Sequence, residues 1–128
     1  MRWVSSELIS PATLAGIGRV VRTEDLPWTG VSHDPTIRKQ VILQSGDVPS
    51  LIGLHRSVFL PGQLAPEHSH VDMHEVFNII RGRGVFAIDG EPVAVSAGTT
   101  VSLAPGQTHE VRNTGSEELE LLYFGLQV

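Results

Sequence analysis

Over the last 55 or so positions, turn-forming residues recur so often that the chain has room for little except short strands. Residues 75–80 end at Arg81-Gly82-Arg83-Gly84. Residues 85–88 end at Asp89-Gly90, a strong hairpin sequence. Residues 92–95, 99–103 and 110–113 are closed by Ala97-Gly98, Pro105-Gly106 and Thr114-Gly115-Ser116, and residues 119–126 form a last, longer apolar run. Upstream, Ile37, Val41 and Leu43 share one parity with Lys39 among them, ahead of a Ser45-Gly46-Asp47 turn. Residues 51–60 make the next strand, with Leu54, Arg56, Val58 and Leu60 on one face and His55 and Phe59 on the other. No stretch from 37 to 128 accommodates a helix of three turns. The chain is expected to be all-β, a sandwich or barrel.

Residues 1–36 differ. Their apolar residues follow neither helical nor strand periodicity, prolines interrupt them at 11, 27 and 35, and residues 25–35 read as an irregular loop. An irregular N-terminal arm, 1–36, packed on a barrel of 37–128 or on a partner subunit, is the expected organisation, with Trp3 and Trp28 as packing anchors.

The chemistry is concentrated in residues 62–82, where His68, His70 and His74 fall within seven positions and Glu75 follows. Side chains alternate along a strand, so His68 and His70 project to one side, where two imidazoles can reach one cation. A hairpin through Val71, Asp72 and Met73 would return a carboxylate to that point, and a further imidazole is available at His109. Three neutral nitrogens and a carboxylate oxygen are a usual ligand set for a divalent transition ion. A hydrogen-bonded structural histidine is the alternative at each position.

Composition narrows the partners. Net charge is −5, with one lysine and scattered arginines, so no basic stripe is present to follow a phosphate backbone and nucleic acid is not an expected partner. With no cysteine, thiolate metal sites and disulfides are excluded. No apolar run approaches the length of a membrane span or a signal peptide. A soluble, cytoplasmic protein of one domain is expected.

Residues 62–82 resemble the first motif of the cupin superfamily, G-x5-H-x-H-x3,4-E-x6-G, at Gly62, His68, His70, Glu75 and Gly82. Residues 98–113 resemble the second, G-x5-P-x-G-x2-H-x3-N, at Gly98, Gly106, His109 and Asn113; its proline position carries Ala104, with Pro105 one place later. The resemblance implies a double-stranded β-helix, a jelly-roll barrel, with a metal in its mouth held by His68, His70, Glu75 and His109. It also selects Glu75 over His74, which hydrophobic pattern alone does not, since both faces of 74–80 are apolar. His74 is then a structural or interface histidine, with a role behind the ligands or toward substrate as the alternative, Asn113 a turn residue bonded to backbone, and Asp72 and Glu67 face solvent. Arg56 reads as a solvated or interface arginine, with a carboxylate anchor as the alternative.

Such a site suits Mn²⁺, Fe²⁺, Co²⁺, Ni²⁺ or Zn²⁺. With iron it could support dioxygenase-type oxidation, as an oxidoreductase. With Zn²⁺, Mn²⁺ or Ni²⁺ as Lewis acid it could support isomerase, lyase or decarboxylase chemistry on a small molecule. Phe77, Ile79 and Phe86 are candidates to shelter it, and Glu110, Tyr123 or His55 to serve as a base. A non-catalytic binding or sensing module is the other class of function. Cupins are commonly fused to helix-turn-helix domains, none of which is recognisable in residues 1–36. A homodimer is expected, because small open barrels need their edges covered.

Overall fold

The computed structural model describes residues 18–128, which form ten strands: β1 Thr29–Val31, β2 Asp34–Leu43, β3 Leu51–Phe59, β4 Leu64–His68, β5 Met73–Arg81, β6 Arg83–Ile88, β7 Glu91–Ser96, β8 Thr100–Leu103, β9 His109–Asn113 and β10 Leu119–Gln127. All pairings are antiparallel. One sheet has the order β1-β2-β3-β10-β5-β8 and the other β4-β9-β6-β7. From β3 onward the chain steps repeatedly from one sheet to the other, which makes the fold a jelly-roll barrel. The only regular helix among the described residues is one 3-10 turn, Thr23–Asp25, so none of their helices is long and apolar enough to cross a membrane.

Strand parity decides the core. On β5, Phe77 and Ile79 are buried, and on β10 Leu119 and Leu121; these pack with Phe59, Val101, Leu103, Val111 and Phe86 between the sheets. Burying each such side chain contributes about 1.5–3 kcal/mol. The odd-numbered face of β3, with His55 and Phe59, is therefore the inner one. Glu75, in step with Phe77 and Ile79, faces inward as the motif spacing requires, and His74 is exposed.

Two expectations need correction. Residues 25–35 are not an irregular loop throughout, because β1 and the start of β2 lie there and add an edge hairpin to the larger sheet. The expected boundary between 36 and 37 falls inside β2. Pro35 is tolerated near the start of that strand, and Gly30 makes the pairing possible: a Cβ at position 30 would lie 2.5 Å from the backbone of Pro35. Nor do residues 71–73 close a hairpin. β4 pairs with β9 while β5 pairs with β10 and β8, so the connection arches between sheets.

The outer face of the larger sheet is also covered. The Gln40 amide donates to the carbonyls of Thr23 and Leu26, and Trp28 sits beneath the guanidinium groups of Arg38 and Arg56, each 4.9 Å from its ring. Trp28 packs there while remaining 40% exposed. Trp3, and the packing expected of the rest of the arm, lie outside the described residues.

Candidate metal centre and cavity

His68, at the end of β4, lies opposite His109, the first residue of β9, in the smaller sheet. Their rings are 4.1 Å apart between centroids. His70 lies beyond β4 in the arch, off the strand. Its position is set by a hydrogen bond from the Gly106 N–H to the His70 carbonyl, 2.7 Å, which ties the arch to the β8–β9 turn. One ligand nitrogen from each of the three imidazoles falls within 4.8 Å of the others. Two ligands of one ion at about 2.1 Å lie at most about 4.2 Å apart, so this spread is close to what a single ion needs.

Glu75 arrives from the opposite sheet. Its Oε1 lies 3.2 Å from His109 Nε2 and 3.9 Å from His70 Nε2. Both Glu75 Oε1 and His109 Nε2 are buried, and neither makes a hydrogen bond. Buried polar atoms are rarely left so. A cation shared between them would satisfy both, so the donor set of three imidazoles and one carboxylate fits a divalent transition ion.

The ring orientations support this. His68 Nδ1 is 2.9 Å from the Pro66 carbonyl, and a proton held there leaves Nε2 free as a ligand atom. Burial, together with the neighbouring imidazoles of His109, His70 and His33, lowers the His68 pKa against the opposing effect of that carbonyl, keeping the ring neutral. The β8–β9 turn is braced from β6–β7. Asp89 accepts from the Thr108 N–H and the Gln107 amide, and Gln107 in turn accepts from the Ala104 N–H. Alanine in the motif's proline position thus supplies a donor that proline lacks.

The imidazoles open into a cavity of about 210 Å³. Val31, Phe59, Phe77, Val111 and Leu121 supply its apolar wall. Phe77 is part of the shelter; Ile79 and Phe86 belong to the core behind it. His55 and Tyr123 do turn inward, whereas Glu110 pairs with Arg112 and does not reach the cavity. Tyr123 Oη is 2.8 Å from Ser57 Oγ, and burial, reinforced by Glu75, pushes its pKa up to about 12 despite the Ser57 bond. His55 is held neutral by burial and by the charge of Lys39, against the pull of Glu75. Its ring lies over Gly53, where a Cβ would meet it at 2.8 Å.

Arg56 points away from the cavity. It donates to Glu120 and Gln40 on the outer face, so it is not a carboxylate anchor there. Asn113 donates to the carbonyls of Phe59 and Glu117 and accepts from the Gly115 N–H, the turn-fixing role expected of it. Glu67 and Asp72 are exposed. Two titratable cavity residues were not anticipated as such. His33, at the β1–β2 turn, brings its ring 4.8 Å from that of His68. Lys39 also lines the cavity, and its place among apolar residues of one parity was the available clue.

The Cupin domain family model matches residues 55–125, more than half of the chain. An oxalate-binding protein of Thermotoga maritima is 36% identical over 114 residues, covering 84% of this chain and 93% of that one. Auxin-binding protein 1 of Arabidopsis thaliana is 28% identical over 131 residues, 91% of this chain and 63% of the relative. The crystal structure of a predicted oxalate decarboxylase from Thermotoga maritima superposes with a TM-score of 0.80 at 24% identity, covering 85% of this chain and 99% of that one, a likeness of fold.

Proposed function

Since the chain belongs to the cupin superfamily, we propose that it binds one divalent transition ion through His68, His70, Glu75 and His109, and that the ion binds a small carboxylate in the cavity. The observation that carries this reading is the convergence of Glu75 Oε1 and His109 Nε2, buried and without hydrogen bonds, beside two further imidazoles. Oxalate is the first ligand to test, because a relative of nearly the same length is an oxalate-binding protein. It also fits the cavity's size.

A metalloenzyme is the reading we favour over a binding module, because the ligand space also holds protonatable groups away from the ion. Tyr123 keeps its phenolic proton at neutral pH, and Ser57 and His55 lie beside it. With iron the reaction would be an oxidation; with manganese, zinc, cobalt or nickel, decarboxylation or another Lewis-acid reaction. A homodimer and a cytoplasmic setting belong to the same proposal.

The decisive measurement is the metal content of the untagged protein by elemental mass spectrometry, beside a Glu75→Ala, His109→Ala double variant. Near-stoichiometric metal, lost in the variant, is the expected result; no metal after reconstitution would end the reading. Oxalate turnover or oxygen uptake by the loaded protein separates enzyme from binding module.

A further inference from the structure

We infer that Lys39 makes the cavity selective for ligands carrying two negative charges, one end at the ion and the other at its ammonium group. This rests on the metal-centre reading above. Lys39 is the chain's single lysine. It stands on the inner face of β2, two residues after the fully buried Ile37, and opposite Ser57 of β3. The neighbouring cations outside the barrel are paired: Arg38, Arg56 and Arg81 bind Glu118 and Glu120. Lys39 joins no ion pair among the described residues, although it lines the cavity and its charge acts on His55.

A charge count then defines the ligand. A divalent ion, three neutral imidazoles and the Glu75 carboxylate leave one positive charge, and Lys39 adds a second. Charge left uncompensated in a partly enclosed site is costly, so a dianion balances the cavity where a monoanion or neutral molecule does not. Lys39 and the imidazoles line the same cavity, so a ligand that reaches both the ion and the ammonium group is acidic at both ends.

Oxalate and oxamate test this, being nearly equal in size but different by one charge. Binding is measured by calorimetry on cobalt-loaded wild type and on Lys39→Met, with cobalt retention and thermal melting checked for both proteins. The ion's own preference for the dianion is common to both, so a change in the oxalate-to-oxamate affinity ratio reports Lys39. The ratio should fall about ten-fold in the variant, mostly through weaker oxalate binding. An unchanged ratio, with cobalt and fold retained, would overturn the inference and leave the metal centre standing. If the wild type takes up no cobalt, the metal-centre reading fails and takes the inference with it; if the cobalt-loaded protein binds neither anion, the inference fails while the metal centre stands.

Discussion

At the scale of single residues, the site is a contest between protons and a metal ion for imidazole nitrogen. Burial lowers the His68 pKa, so that ring resists protonation until the pH falls below the ordinary imidazole value of about 6.5. Protonated imidazole cannot ligate, so apparent metal affinity should fall as the pH drops below about 6. Titration with cobalt at several pH values checks this, and equal affinity at about pH 7.5 and about pH 5 would remove the histidines from the ligand set. Gly53 acts on the same scale. Its missing Cβ is the space His55 occupies, so Gly53→Ala should displace that ring while leaving metal content unchanged.

At the scale of strands and turns, Asn113 closes β9 by holding three backbone groups from two directions while almost fully buried. Asn113→Ala strands two carbonyls and an N–H, at a cost of about 2–3 kcal/mol. Denaturant unfolding should show that loss, and a change below about 0.5 kcal/mol would show that solvent reaches the turn. This element was legible in the sequence because a turn residue at a fixed motif spacing has a local cause. So were β3 and the strands from β5 onward, each bounded by a local turn, and the inward facing of Glu75, which the motif spacing decides; the end of β4 at His68, with His70 off the strand, was not. The β1–β2 hairpin was not legible. Its register depends on Pro35 packing over Gly30 and on pairing with β3, contacts that local pattern does not express. His33 was missed with it. Nor did spacing distinguish a hairpin from an arch between sheets after His68, since that choice belongs to the pairing of β4 with β9.

At the scale of the whole molecule, β1 and β8 edge the larger sheet, and β4 and β7 the smaller one. Unpaired edges of this kind are usually covered. The proposed homodimer should sediment at about twice the chain mass of 13.9 kDa at micromolar concentration; a single-chain mass there would exclude it. The site itself belongs to neither sheet. His68 and His109 come from one and Glu75 from the other. A chain without cysteine has no disulfide to pin its two layers together, and an ion gripped from both sides would serve as a removable rivet between them. Filling the cavity and closing the barrel would then be one event, and an empty site would leave the two layers freer to part at the end where the ligand enters.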